Sequence, residues 1–338
     1  MNSSFLSAPL WLVTSLHVIT LTLHFMFMNF LVGGIIIVIW GKFNDRWNDP
    51  TVRKMIKLFP TAMALTVTLG VAPLLFVQLV YHRQVYSASI VSGWFWLMIV
   101  AAVIVAYYLL YGVSFSKKAG ATTKGWLLTV ALIGLLYVGY TYSSVFSLAE
   151  RPDLAMAAYS HNQTGVLLNP DVADYLLRWL HMMIGAITVG GFFVGLLGRD
   201  NPPVQTLGRR FFLWGTVINA LVGIAYLLLL GDHLTPFMRS AGIWYLTVGI
   251  VLALGTLHFY FRGRFAISGI VLLLAMVAMV LSRHYVRLVK LEGHWDPAAM
   301  PINPQWSVFT VFLLCFLLAL AVVAYMVRSY FRDREQPA

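Results

Sequence analysis

The chain has 338 residues, of which 60% are hydrophobic and 10% are charged, and its mean hydropathy is +0.81. This composition excludes a water-soluble domain, because there is too little polar surface to cover so much apolar side chain. The net charge of +11 would suggest a nucleic-acid partner in a soluble protein. Here the basic residues lie in short segments between apolar runs, where they set membrane topology, so no nucleic acid is expected.

Nine apolar runs are long enough to cross a bilayer as α-helices. They cover residues 9–40, 56–81, 89–115, 124–148, 172–198, 208–231, 237–261, 265–291 and 305–328. The first run is far longer than the core of a signal peptide, so we expect it to be retained as a helix. The sequence therefore predicts an all-α polytopic bundle of about nine transmembrane helices, forming one domain over residues 1–338. The segments 149–171 and 292–304 are predicted to be small lids.

The basic residues predict the orientation of the chain. Of the 23 Lys and Arg residues, 16 fall on one side of the predicted membrane and seven on the other. The seven are Arg83, Arg151, Arg178, Arg239, Arg283, Arg287 and Lys290. Because the cytoplasmic side carries the excess of basic residues, we expect the N-terminus outside and the C-terminus inside. The expected location is the cytoplasmic membrane of a bacterium.

Five of the nine histidines lie in or near predicted helices: His17, His24, His181, His258 and His284. An ionisable side chain is expensive in hydrocarbon, so each requires a function or a partner. All but His258 belong to the outer half of the membrane. His17 and His24 are seven residues apart and share one helix face, about 10 Å apart along the axis. That spacing suits two neighbouring haems, or one haem and one structural histidine bonded between helices.

Cationic residues gather at the same outer boundary, where haem propionates would need donors. They are Arg178, Arg239, Arg283, Arg287 and Lys290. The alternative is that these long side chains snorkel from helix ends to the membrane surface. The single cysteine, Cys315, excludes a Cys-x-x-Cys-His attachment motif, so any haem would be held non-covalently.

Glycines follow two of the histidines. Gly33 and Gly34 follow His24, while Gly185, Gly190, Gly191 and Gly195 follow His181. A missing side chain at these positions would admit either a flat macrocycle or a closely packed second helix.

Acidic residues are scarce. The chain has three glutamates, and none of its 12 acidic residues lies deep in a predicted helix. A proton path from the cytoplasm to a buried oxygen-reducing site is therefore not visible. The intramembrane carboxylates and paired half-helices of ion-coupled transporters are not visible either.

Several stretches resemble the haem-bearing subunit I of cytochrome bd-type quinol oxidases. The segment Leu21 to Gly33 (LTLHFMFMNFLVG), which contains His24, is similar to the first helix of that family. Residues 64–72 (ALTVTLGVA) resemble the start of the Ala-Leu-Gly-Val-Ala-Thr-Gly helix of that family. Residues 169–195, from Asn-Pro through His181 to the glycines, resemble the fifth helix, and the segment from Arg209 to His233 resembles the sixth. The resemblance implies haem b, nine helices and a quinol site near Asp232 and His233.

The chain also departs from that family. The long quinol-binding loop after the sixth helix is missing, and Thr247 falls near the place of the methionine that completes the low-spin haem. The second-helix glutamates and the Gly-Arg-x-Pro-Trp signature are absent too. At the eighth helix, where the family uses a glutamate ligand, this chain has His284. Haem binding is therefore expected to persist, while oxygen reduction is in doubt.

We therefore expect a b-type haem subunit, with two or more haems, that carries electrons between the quinone pool and an outer partner. The expected iron ligands are His24 and His181, with His284 and His17 as axial partners in an unassigned pairing, and Arg178, Arg283 and Arg287 are expected to hold propionates. Partners would be quinone or quinol, the lipid bilayer and other subunits of a respiratory complex, such as a cytochrome c or an iron–sulfur protein. Two alternatives stay open: a divergent terminal quinol oxidase subunit that reduces oxygen, and a haem-free transporter or structural subunit.

Overall fold

The computed structural model describes residues 5–43 and 49–335, which form twelve α-helices and two 3-10 turns. The helices are α1 (Leu10–Phe43), α2 (Pro50–Val80), α3 (His82–Val91), α4 (Gly93–Phe115), α5 (Ala121–Leu148), α6 (Pro152–His161), α7 (Val172–Leu197), α8 (Pro202–Leu229), α9 (Leu234–Arg239), α10 (Gly242–Phe261), α11 (Phe265–Lys290) and α12 (Trp306–Glu335). The chain divides into two compact units, one made of Met1–Thr14 with Pro297–Ala338 and the other of Ser15–Asp296.

Nine of the described helices are long and apolar enough to cross a bilayer. They are α1, α2, α4, α5, α7, α8, α10, α11 and α12, and each coincides with one of the predicted apolar runs. The prediction of an all-α polytopic membrane bundle is thereby confirmed. Among the basic residues counted for orientation, Arg46 and the side chains of Lys42, Arg332 and Arg334 lie outside the described part of the chain.

Two spans begin six residues earlier than their apolar runs predict. Helix α2 begins at Pro50 rather than residue 56, and α8 begins at Pro202 rather than residue 208. Proline suits the first helical turn, because its missing N–H would have no intrahelical partner there. The Asp49 carboxylate accepts a hydrogen bond from the Thr51 N–H at 2.7 Å and caps α2. The apolar run marks only the part of a helix that suits lipid. The helix itself can therefore begin several residues before the run, as α2 and α8 do.

Three short helices lie in segments that the apolar runs did not resolve. Helix α3 fills the connection between α2 and α4, α6 lies within the predicted lid 149–171, and α9 separates from α10 near residue 240. At ten residues each, α3 and α6 are about 15 Å long, too short to span the bilayer. The Leu167 N–H donates to the Val91 carbonyl and the Trp94 N–H to the Gly165 carbonyl, at 3.2 and 2.9 Å. The lid is thus an ordered cap bonded to the α3–α4 corner.

Helices α1 and α7 meet through glycine. A Cβ atom added at Gly33 would lie 2.0 Å from the Ala186 carbonyl oxygen, and one added at Gly190 would lie 2.6 Å from the Gly33 carbonyl carbon. The two backbones are therefore in direct contact. Close by, the rings of Phe30 and Phe193 meet edge to face, with their centroids 5.3 Å apart.

The unit formed by the two chain ends contains one backbone pairing and one span. The Leu6 N–H donates to the Pro301 carbonyl at 2.9 Å, the Asn303 N–H donates to the Leu6 carbonyl at 2.9 Å, and Leu6 itself is fully buried. The described side chains of α12 between Trp306 and Ser329 are not buried. An apolar helix of this kind suits contact with lipid, because all of its backbone hydrogen bonds are internal.

Candidate functional site

Two histidines of α1 hydrogen-bond to the backbone of α2. The His24 Nδ1 lies 2.8 Å from the Thr66 carbonyl oxygen, and the His17 Nδ1 lies 3.1 Å from the Pro73 carbonyl oxygen. The two histidines are seven residues apart, and so are the two carbonyls, in the opposite direction along the chain. A Cβ atom at Gly70 would lie 2.8 Å from the His24 ring, so glycine is required for the ring to pack there.

His181 repeats this arrangement between α7 and α8. Its Nδ1 lies 3.2 Å from the Asn219 carbonyl oxygen. A Cβ atom at Gly223 would lie 3.0 Å from the His181 Cε1. In both His24 and His181, the glycine beside the ring comes four residues after the carbonyl that accepts the bond. Each ring therefore lies in a notch on the face of its neighbouring helix.

These bonds determine the chemistry that each ring offers. A carbonyl oxygen only accepts hydrogen bonds, so Nδ1 carries the proton in His17, His24 and His181. In the neutral imidazole, Nε2 then presents a lone pair. A metal-ligating histidine almost always donates its other ring N–H to a carbonyl, a carboxylate or water, which fixes its tautomer and orientation. In three of the four expected ligands, Nε2 is thus the unprotonated nitrogen.

The remaining candidates are less uniformly placed. His284 is half-buried on α11 and lies within electrostatic range of both His17 and Arg287. His258 is exposed. In the described residues no group of three or more His, Cys, Asp or Glu side chains is arranged to hold a metal ion. A haem iron takes four ligands from its macrocycle and needs only one or two from the protein.

The glycines that follow His24 and His181 serve helix packing. Gly191 faces the backbone at Phe211 and Phe212, and a Cβ atom there would lie 2.6 Å from the Phe212 nitrogen. Gly195 faces the Tyr260 hydroxyl, which would be 1.7 Å from an added Cβ atom. The sequence allowed two roles for these glycines, the admission of a flat macrocycle or the close packing of a second helix. Close helix packing is the role seen at Gly33, Gly190, Gly191 and Gly195.

A cluster of charges, partly exposed at Arg178 and Arg283 and otherwise buried, joins the ends of α5, α7 and α11. We call it the charge cluster, and its members are Glu150, Asp174, Arg178, Arg283, Arg287 and Lys290. Both Glu150 oxygens lie 2.6 Å from the Arg283 Nη2, while the Arg178 Nη1 and the Arg287 Nε lie 3.6 and 3.5 Å from Oε1. The Lys290 Nζ lies 2.6 Å from the Asp174 Oδ1 and 3.9 Å from the Glu150 Oε2. Glu150 is the shared centre, and its side chain is only 2% exposed.

Helical spacing brings these groups together. On α7, Asp174, Arg178 and His181 follow at intervals of four and three residues and therefore share one face. On α11, Arg283, Arg287 and Lys290 do the same. The start of α7 is held against α5, because the Asn169 N–H donates to the Ser144 Oγ at 2.9 Å. His181 therefore follows the charge cluster by one helical turn along α7.

The electrostatics of the charge cluster are dominated by its cations. Burial alone would raise the pKa of the Glu150 carboxyl, but the surrounding Arg283, Arg178, Lys290 and Arg287 outweigh it and hold the pKa at about 2. Four cations face two carboxylates, so two positive charges are unbalanced within the cluster.

Donors and aromatic rings surround the unbalanced charge. Among the buried polar atoms without a hydrogen-bond partner are the Arg283 Nε and Nη1 and the Tyr226 hydroxyl. The Tyr226 ring also lies below Arg283 and Lys290, at 5.9 and 5.7 Å from centroid to cation, and the Tyr81 ring lies 5.2 Å from Arg287. Aromatic faces stabilise cations at such distances.

The sequence anticipated the cations but not their partners. Arg178, Arg283, Arg287 and Lys290 were expected at one boundary, and they are together, whereas Arg239 is exposed. Glu150 and Asp174 were not recognised as members. The available signal was the position of Glu150, which comes two residues after the end of the 28-residue helix α5.

The two residues expected near a quinol site line a cavity beside the charge cluster. Asp232 and His233 form part of its wall, and its volume is about 400 Å³. The other lining residues are Arg151, Asp153, Leu230, Lys290, Glu292 and His294. Lys290 is thus shared between the cavity and the charge cluster. Leu230 is the one apolar residue among these described lining residues, so the wall of the cavity is mainly polar.

The sequence matches no protein-family model, and no curated protein shows significant similarity to it.

Proposed function

We propose that this protein is a b-type haem subunit of a membrane respiratory complex, which transfers electrons between the quinone pool and a redox partner on the outer face. The observation that carries the proposal is the shared geometry of His17, His24 and His181. Each donates Nδ1–H to a backbone carbonyl of a neighbouring helix, which leaves Nε2 as the unprotonated nitrogen that could bind iron. Bound haem b would supply a one-electron couple between ferric and ferrous iron.

Two sets of residues would hold such a group. His24 and His181 are the proposed principal ligands, with His284 and His17 as axial partners. Two histidine ligands on one iron would favour electron transfer over oxygen activation. Arg178, Arg283 and Arg287 are proposed to hold propionates, and the buried Arg283 donors without partners support this assignment.

The cavity at Asp232 and His233 is the proposed quinol site. Its volume of about 400 Å³ lies in the range of small-molecule sites. A quinol releases protons when it is oxidised, and carboxylate and imidazole groups at the cavity wall are suitable acceptors. Electrons would pass to or from another subunit of the complex, such as a cytochrome c or an iron–sulfur protein.

A spectrum tests the proposal most directly. We expect the purified full-length protein to give a reduced-minus-oxidised difference spectrum of haem b. His181→Ala should remove part of that signal, whereas His258→Ala, which alters an exposed helical histidine, should leave it intact. A purified wild-type protein without any haem signal would overturn the proposal.

A haem-free structural subunit is the second candidate. The hydrogen bonds from His17, His24 and His181 to backbone carbonyls are themselves contacts between helices, and they would serve this role without a metal. In that case, His181→Ala would lower thermal stability in a protein that never showed a haem spectrum. Carbon monoxide binding to the reduced protein would instead support a divergent terminal oxidase with an open haem position.

A further inference from the structure

The charge cluster is incomplete as it stands. A buried charge needs compensation by partners, and an unpaired buried cation is strongly unfavourable. Arg178, Arg283, Arg287 and Lys290 share the carboxylates of Glu150 and Asp174, which leaves two positive charges without a counter-ion in the cluster. Lys290 also faces the carboxylates of Asp153, Asp232 and Glu292 across the cavity, so the excess positive charge lies on the arginines around Glu150.

The unpartnered atoms indicate where such a group would bind. The Arg283 Nε and Nη1 are buried and make no hydrogen bond within the described part of the chain, although the Nη2 of the same guanidinium contacts both Glu150 oxygens. The Tyr226 ring lies below the same guanidinium, and its hydroxyl is buried and has no hydrogen-bond partner among the described residues. Two nitrogens of the Arg283 guanidinium and one neighbouring hydroxyl are thus available to bind a further group.

Glu150 explains why four cations stay together in this place. It contacts Arg178 and Arg287 at 3.5–3.6 Å, and it binds Arg283 at 2.6 Å. Without this shared acceptor the cations would repel one another, because like charges a few ångströms apart are costly where water is excluded. Glu150 is also too deeply buried, at 2% exposure, to exchange its partners for water.

We propose that Glu150 is a positioning residue, which gathers these cations into a site with two unbalanced positive charges that binds one dianionic group through carboxylate or phosphate oxygens. The identity of that group rests on the proposed function, under which it is the propionate pair of a single haem. A second haem would then require other counter-ions for its propionates. The alternative source of the same chemistry is a phosphate, either free or in an anionic lipid headgroup.

The haem midpoint potential tests the charge assignment in the intact protein. Glu150→Gln adds one unbalanced positive charge and should shift the midpoint potential upward, because positive charge favours the reduced iron. Arg178→Gln removes one and should shift it downward, and the double variant should return toward the wild-type value. Asp200→Asn and Arg199→Gln, which alter an exposed ion pair elsewhere, serve as matched controls and should shift it little.

The outcomes separate the inference from the proposed function. Haem-loaded Glu150→Gln and Arg178→Gln variants with midpoint potentials equal to those of the controls would show that the charge cluster is only a structural clamp. If Glu150→Gln fails to accumulate, Arg178→Gln decides, and an unchanged potential in that variant overturns the inference.

A wild-type protein without haem would remove the proposed function but not the anion site. The thermal midpoint would then be measured with inorganic phosphate, and with phosphatidylglycerol vesicles against phosphatidylcholine vesicles. A rise in the midpoint that is lost in Arg178→Gln but kept in Arg199→Gln would support the site and identify its ligand as free phosphate or lipid. No rise with either ligand would overturn the site.

Discussion

The histidines of this protein differ in the groups that the neighbouring helix places beside their rings. His24 and His181 each meet a carbonyl that accepts their proton and a glycine that admits their ring. His258 lies exposed on α10. The sequence predicts which histidines lie within helices, since that depends only on hydrophobic runs. It does not predict their hydrogen bonds, because the accepting carbonyls of Thr66 and Asn219 are 42 and 38 residues away.

The depressed pKa of Glu150 has a consequence for stability against pH. The Glu150 pKa falls from its ordinary 4.5 to about 2 in the folded protein, so its ionised form stabilises the fold above pH 4.5. That contribution is about 3 kcal/mol at neutral pH, and it is lost as the pH falls from 4.5 toward 2. We expect Glu150→Gln to lower the thermal midpoint markedly at pH 7 and progressively less as the pH approaches 3.

The matched control is Asp200→Asn, because the exposed pair of Asp200 with Arg199 contributes little to stability. Thermal unfolding in detergent at several pH values provides the measurement. A difference between wild type and Glu150→Gln that stays constant from pH 7 to pH 3 would contradict this assignment of the pKa.

Among the elements, the spans were predictable and the short helices were not. A transmembrane helix is encoded by a long apolar run, and all nine runs became helices. Helices α3 and α6 carry only ten residues each and mix polar with apolar side chains, so no run marks them. Their positions depend on tertiary hydrogen bonds, such as that from the Ser92 hydroxyl to the Leu167 carbonyl. The same limitation hid Glu150, whose partners lie on other helices.

Glycine contacts between α1 and α7 determine how closely these helices pack. A Cβ atom at Gly190 would lie 2.6–2.9 Å from the backbone of Gly33 and Gly34. Alanine normally favours a helix over glycine by about 1 kcal/mol, but overpacking costs about 1–3 kcal/mol. We expect the steric cost to prevail, so that Gly190→Ala lowers the thermal midpoint.

Gly134→Ala on α5 is the matched comparison. Its added Cβ atom would lie 3.5 Å from the Ala102 carbonyl oxygen, an ordinary contact, so the helix preference should keep or raise stability. Equal thermal midpoints for the two variants would show that the α1–α7 contact is looser than described.

For the whole molecule, the nine spans establish a multi-pass membrane protein, whereas its orientation is still a prediction. The bias of basic residues predicts that the α4–α5 connection is cytoplasmic and that α6 is outside. Orientation follows from membrane insertion rather than from packing, so it is tested in the membrane itself.

Site-directed labelling in intact cells tests this orientation. In a Cys315→Ala background, a membrane-impermeant maleimide should label Ser160→Cys without permeabilisation. Lys118→Cys, in the α4–α5 connection, should be labelled only after permeabilisation. The reverse pattern would place the N-terminus in the cytoplasm, and both the proposed outer redox partner and the outer quinol site would move to the other face.

The paired bonds from His17 to Pro73 and from His24 to Thr66 also constrain how this chain can vary in length. The two bonds span seven residues on α1 and seven residues on α2. A single residue inserted between His17 and His24 would turn one histidine by about 100° relative to the other, so both bonds could not survive together. Insertions or deletions in this part of α1 are therefore expected only with a compensating change between Thr66 and Pro73.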